Sequence, residues 1–383
     1  MSVGHGGSIA VVGVGLTEMA RRLDKTQEEL VVQAIRTAAE DAGLDAADID
    51  GFMPASAGPE PDRVAVALGA RRRDFSGERS IAGAASVGAA ELARLVIGGG
   101  MATTVCVYYG NSSKAQGSPY AYHATDVMKA AYEMPVGWYG QPVYFAGLAQ
   151  RYAYEHGLAT ESLGAVAMAA RRWASLTPGA MLPTPLTYEE YLDSPMIASP
   201  LRKPDCCLIN DGAVAYILTS LERARDLKAQ PVVVAGAAIR SIDVTLTDLF
   251  TQNPDLLHFA AELSARAAFD EARLQVGDVD LAEIYDCFSI STLVQLEQVG
   301  LCKPGEAAEF VRDGRIEPGG ELPVNTHGGH LANSYLPGAN HVVEAVLQLR
   351  GSRGAAQVEG AEVALVAGMG GPDHATLLLT RDR

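Results

Sequence analysis

The chain is short of several things, and each shortage removes a class of function. Aromatic residues make up only 6% of its 383 residues. A core built on bulky rings is therefore not expected; close helix–sheet packing through the abundant Ala and Gly is. Basic residues are outnumbered, with 30 Lys and Arg against 46 Asp and Glu and a net charge of −16. Phosphate-backbone binding needs a basic footprint, so nucleic acid is not an expected partner. An anionic small molecule stays compatible, because a local basic pocket can sit on an acidic surface. There are five cysteines, Cys106, Cys206, Cys207, Cys287 and Cys302, and only one adjacent pair is close in sequence. That pattern fits neither a zinc site nor a disulfide framework, and no metal is expected. No apolar run approaches the roughly 20 residues of a membrane span. The first residues, M-S-V-G-H-G-G-S, carry no signal-peptide pattern, the last, R-D-R, are no targeting tripeptide, and a cytoplasmic location is expected.

What is present is a repeat. Residues 28–52 read as a helix, a short acidic link and a strand, and residues 262–288 do the same. The D-I-D at Asp48–Asp50 matches the D-V-D at Asp278–Asp280. Apolar residues in both helices recur at three- and four-residue spacing, so each presents one buried face. The strand Ile9–Gly15 resembles Val232–Ala238, and Thr103–Gly110 resembles Glu362–Gly370. Helices at Val87–Ile97 and His341–Leu349 precede the latter pair. Two α/β halves of similar order follow, residues 1–227 and 228–383. Fully apolar strands alternating with helices predict mostly parallel sheets covered on both faces.

Residues 111–200 interrupt the first half. The stretch holds both tryptophans, Trp138 and Trp173, and ten of the fourteen tyrosines lie between Tyr108 and Tyr188. Its length predicts a loop-rich lid or a subunit-contact segment. Gly13–Glu18 follows a strand but lacks the third glycine and the spaced acid of a dinucleotide site, so no nicotinamide cofactor is expected. His123 and His156 read as surface or lid residues.

Two C-terminal stretches concentrate chemistry. One is Y-D-C-F-S, Tyr285–Ser289; the other is N-T-H-G-G-H-L-A-N-S-Y-L-P-G-A-N, Asn325–Asn340. A third, G-M-G-G at Gly368–Gly371, ends a strand and could offer backbone N–H groups to an oxyanion or form a tight turn.

These segments, with N-D-G-A-V-A-Y-I-L-T-S at Asn210–Ser220, resemble the thiolase superfamily, and within it the sterol-carrier-type and lipid-transfer-protein-like homologues. The resemblance covers nearly the whole chain. It implies a thiolase fold, five-layered α/β/α/β/α with two duplicated halves, usually dimeric. It also exposes departures. The family's nucleophilic cysteine falls at Gly83, within S-I-A-G-A-A-S at Ser80–Ser86. Its second cysteine falls near Val366 or Ala367. Its G-H-P histidine falls at Tyr335, and its oxyanion histidine or asparagine at Tyr285. Paired tyrosines there look like the aldolases of steroid side-chain degradation. Those cleave a β-hydroxyacyl-CoA and work with a small partner of OB-fold and zinc-ribbon type. The implied catalytic residues are Tyr285 and Tyr335, assisted by His327 and His330. Gly328, Gly329, Gly368, Gly370 and Gly371 are the implied ligand-contacting backbone. Coenzyme A enters as part of the substrate, and no separate cofactor is expected. A phenol titrates near pH ~10, so a base at neutral pH needs a lowered pKa, supplied by His327 or His330, or a relay. Cys287 reads as a buried small hydrophobe and Asp286 as structural. An acyltransferase using Cys287 and a silent acyl-CoA-binding subunit are the alternatives.

Overall fold

The computed structural model describes residues 8–56, 58–78, 81–114, 126–242 and 255–382. His123 and Ser80 lie outside them, as do the other residues of 115–125 in the segment after Asn111.

Among the described residues nine strands form one mixed sheet in the order β3-β2-β4-β7-β1-β8-β11-β10-β9. The first half supplies β1 (Ile9–Leu16), β2 (Gly51–Pro54), β3 (Phe75–Ser76), β4 (Thr104–Asn111) and β7 (Gly212–Ser220). The second supplies β8 (Val232–Ser241), β9 (Leu281–Ile284), β10 (Val363–Gly370) and β11 (Asp373–Arg381). The order β1-β7-β4-β2 in one half is repeated as β8-β11-β10-β9 in the other. The halves meet where Ala10 and Val11 of β1 pair with Val233 and Val232 of β8. A separate hairpin joins β5 (Met196–Ala198) and β6 (Leu201–Arg202).

The mostly parallel arrangement expected from the sequence is not what forms. Among the strands of the described residues, parallel pairs are limited to β2 with β3 and β4, and β9 with β10. The strands β7 and β11 run antiparallel to both of their neighbours. The physical reason is plain: an apolar strand reports that both its faces are covered, not which way it runs.

Helices cover both faces. Helix α1 (Gln27–Ala42) starts at a capping box between Thr26 and Glu29 and stops at Gly43, whose φ of 73° permits a left-handed cap. With α2 (Pro61–Leu68) it covers the outer face of the first half. Helix α3 (Ala85–Gly98) and the C-terminal α8 (Ala339–Leu349) touch strands of both halves and so form the middle layer. Helices α6 (Ala261–Ala272) and α7 (Ser289–Gln298) cover the outer face of the second half. The layers run α/β/α/β/α.

The insertion is helical rather than loop-rich among its described residues. Helix α4 (Gln141–His156) stacks Phe145 on Phe288 at 4.5 Å between ring centroids. Helix α5 (Thr160–Ser175) buries Leu163, Val166, Ala170 and Trp173, and the Trp173 Nε1–H donates to the Ile316 carbonyl at 3.0 Å. Both helices therefore pack on the second half, against the segments that carry the two tyrosines. His156 is exposed. No helix among the described residues is long and apolar enough to cross a membrane.

Candidate active site

Tyr285 follows β9 directly. Its N–H donates to the Ala367 carbonyl at 3.0 Å, which continues the parallel pairing with β10 for one more residue. Its carbonyl accepts from Gln295 Nε2 at 2.7 Å and from Ser291 Oγ at 3.2 Å, both on α7. Tyr335 is held from the first half. Its N–H donates to Asn210 Oδ1 at 2.6 Å, and its carbonyl accepts from Asn111 Nδ2 at 3.0 Å. The two hydroxyls meet at 2.9 Å, and either can be the donor. Tyr285 is 5% exposed and Tyr335 half-buried.

His330 stands edge-on to both phenol rings, with centroids 4.9 and 5.1 Å away. Among the described residues neither His327 nor His330 hydrogen-bonds to a phenol oxygen, so the expected lowering of a tyrosine pKa has no source. Burial drives both phenols the other way, well above the ordinary tyrosine value; the neighbours of Tyr285 add to its rise, while the hydrogen bond with Tyr285 partly opposes that of Tyr335. Burial also holds His330 well below its ordinary value, and His327 down to about 3. At neutral pH the pair is therefore two neutral phenols beside neutral imidazoles.

Behind the tyrosines lies a buried network that the sequence reading did not assemble. The Asn340 Nδ2 amide pairs with His327 Nε2 at 3.1 Å and donates to the Ser334 carbonyl at 2.9 Å. Its Oδ1 faces His330 Nε2 at 3.1 Å and His341 Nδ1 at 3.2 Å. The Asp286 carboxylate accepts from the His330 backbone N–H at 2.8 Å and lies 3.2 Å from His341 Nε2. Burial opposes a charge on His341, yet Asp286 and Glu283 beside it hold its pKa above the ordinary value. Glu283 Oε2 lies 3.1 Å from His327 Nδ1, and burial pushes the Glu283 pKa up to about 7. Glu283, His327 and His341, and Asp286, His330 and His341, bring ligating atoms within 4.8 Å and could hold a cation. A carboxylate inside the four-residue buried strand β9, and the polar pair Asn340–His341 at the start of an apolar helix, were the signals for this network.

The glycines differ in why they are needed. A Cβ on Gly329 (φ 59°) would overlap the Asp286 carboxylate, and one on Gly328 (φ 101°) would press on Ala174 at 2.7 Å. Gly370 has the Ile81 carbonyl where its Cβ would be, and Gly368 has Ala84 Cα at 2.9 Å. Close protein packing accounts for these four. Gly371, with φ 67°, turns β10 into β11 and faces open space. Gly83 is packed against Tyr285 itself, and no side chain fits there. Cys287 is buried, its thiol directed at Ser291 Oγ at 3.7 Å, and burial drives its pKa far up. Cys207, whose N–H donates to the Cys287 carbonyl at 2.9 Å, is likewise held protonated by burial. A thiolate ready for acyl transfer is not present in this geometry.

The family model described as thiolase C-terminal domain-like matches residues 243–381. The 17-hydroxy-3-oxo-4-pregnene-20-carboxyl-CoA lyase of Mycobacterium tuberculosis is 34% identical over 384 residues, covering 97% of this chain and 99% of the relative. The steroid side-chain-cleaving aldolase of Thermomonospora curvata is 31% identical, covering 98% and 99%. An acetyl-CoA acetyltransferase of Methanothermobacter thermautotrophicus is 32% identical, covering 95% and 96%. A solved structure of an Ltp2-ChsH2(DUF35) aldolase superposes with a TM-score of 0.93 and 31% identity, covering 99% of each chain. The chain belongs to the thiolase superfamily.

Proposed function

We propose that the chain is an acyl-CoA aldolase, a lyase that splits a β-hydroxyacyl-CoA with a bulky, steroid-type acyl group into a ketone and a shorter acyl-CoA. The 2.9 Å contact between the Tyr285 and Tyr335 hydroxyls carries this reading. Retro-aldol cleavage takes the proton from the β-hydroxyl, breaks the Cα–Cβ bond to leave a carbonyl, and returns a proton to Cα of the thioester enolate. Two neutral phenols in contact can do this as a relay. One accepts the hydroxyl proton while passing its own to the other, which protonates carbon. Neither phenol need ionise, which suits their raised pKa values. No acyl-enzyme forms, which suits the lack of a side chain at Gly83 and the protonated Cys287.

The same reading includes a homodimer and a small OB-fold and zinc-ribbon partner. Its support is the similarity to relatives named lyase and aldolase and to a structure named with a second protein. The experiment is incubation with β-hydroxyacyl-CoA esters, with and without such a partner, and assay of ketone release. Ketone with stoichiometric short acyl-CoA supports the aldolase. An acyl group trapped on Cys287 would establish the acyltransferase, and silence with the partner present would establish the binding subunit.

A further inference from the structure

We infer that Gly83 is a positioning residue that selects the reaction type, because the ring of Tyr285 occupies the space in which any side chain at 83 would begin. The inference rests on the aldolase reading for its meaning, but its geometry stands apart from it. Gly83 does not have a positive φ, so its backbone conformation makes no demand for glycine. The demand is steric. A Cβ on Gly83 would overlap Cζ and Cε2 of Tyr285 and lie 2.5 Å from the Met369 carbonyl oxygen. Cζ is the carbon that bears the hydroxyl, so the collision falls on the reacting end of the ring.

Neither side has room to move. The segment 81–84 sits in a slot lined by glycines. Cβ atoms on Gly338 and Gly368 would stand 3.0 and 3.1 Å from the Gly83 carbonyl, and the Ile81 carbonyl fills the Cβ position of Gly370. On the other side, Tyr285 is fixed at its N–H by Ala367, at its carbonyl by Gln295 and Ser291, and at its hydroxyl by Tyr335. Packed interiors transmit such a strain rather than absorb it. A side chain at 83 and a phenol at 285 are thus mutually exclusive. The missing nucleophile and the added tyrosine are one structural change: the ring needs the vacated space to reach Tyr335. Gly83 touches no substrate atom in this account; it acts through Tyr285.

The test is a double-variant cycle read by thermal unfolding and by ketone release. Gly83→Ala should lower the unfolding midpoint by about 3–10 °C. It should cut ketone release by about 100-fold or more, since misplacement by an ångström is enough to do so. In a Tyr285→Ala background the same change should shift the midpoint by less than half as much. Equal shifts in both backgrounds, or full turnover by Gly83→Ala, overturn the inference. If Gly83→Ala alone does not fold, a folded Gly83→Ala/Tyr285→Ala protein supports it. If the double variant also fails to fold, the inference is overturned, because the Met369 carbonyl then sets the demand. The unfolding cycle uses no substrate, so it distinguishes failure of this inference from failure of the aldolase reading.

Discussion

The segment entering α3 and the segment entering α8 hold equivalent places in the two halves, each leading into a helix of the central layer. The first, residues 81–84, carries no ionisable side chain and is clamped between glycines. The second, residues 325–340, carries His327, His330, Asn340 and Tyr335 and is knitted to Glu283 and Asp286. The difference teaches how a duplicated scaffold changes reaction. One half is stripped to backbone so that a side chain from the other can lean into the vacated space. Polar groups are concentrated on one side only, where most of them bond to each other away from water while Glu283 Oε2, His327 Nδ1 and His330 Nδ1 make no hydrogen bond.

This contrast can be broken most forcefully at Asp286. Alanine there removes the acceptor for the His330 backbone N–H and the carboxylate that faces His341 Nε2 at 3.2 Å in the core. The expected loss is about 3 kcal/mol or more in denaturant-derived stability. A loss under about 1 kcal/mol would mean the network is not a unit.

Strand β11 offers the next test, because it carries His374 while its counterpart β7 has no imidazole. Burial holds His374 down to about 3, with Ser264 Oγ 2.7 Å from its Nδ1. The unfolded chain takes up a proton below about pH 6.5 that the fold refuses, so the contribution is present above that pH and lost as pH falls toward 3. Replacing His374 with Asn should flatten the fall in stability by about 1.4 kcal/mol per pH unit between about pH 6 and pH 4. An unchanged slope would contradict the assigned burial.

The glycine slot gives a sharper, smaller contrast. Gly370→Ala, driven onto the Ile81 carbonyl, should cost about 2 kcal/mol. Its neighbour Gly371→Ala meets open space and should cost only the positive-φ penalty, about 1 kcal/mol. Chemical denaturation of both variants checks the order, and a reversed order would show that the slot is not tight.

Much of this was legible in the sequence because it rests on local pattern. The duplicated helix–link–strand units were readable from apolar spacing, and the Tyr285 and Tyr335 segments from their motifs. Strand direction was not readable, since β7 and β11 are buried on both faces whichever way they run. The insertion mixes two signals: glycine, proline and tyrosine near Trp138 mark loops, while the apolar spacing of Leu163, Val166, Ala170 and Trp173 marks a helix. The sign of the phenol shifts was missed because it depends on burial, which only packing reveals. Glu283, Asn340 and His341 come together from separate elements, and the sequence does not contain their distances.

The central claim is that Tyr285 and Tyr335 move one proton jointly. Ketone release by Tyr285→Phe, Tyr335→Phe and the double variant tests it most directly. A single relay predicts that each substitution alone costs about 100-fold or more and that the double variant is no slower than the worse single one. Losses that multiply in the double variant, or full turnover by either single variant, would contradict it.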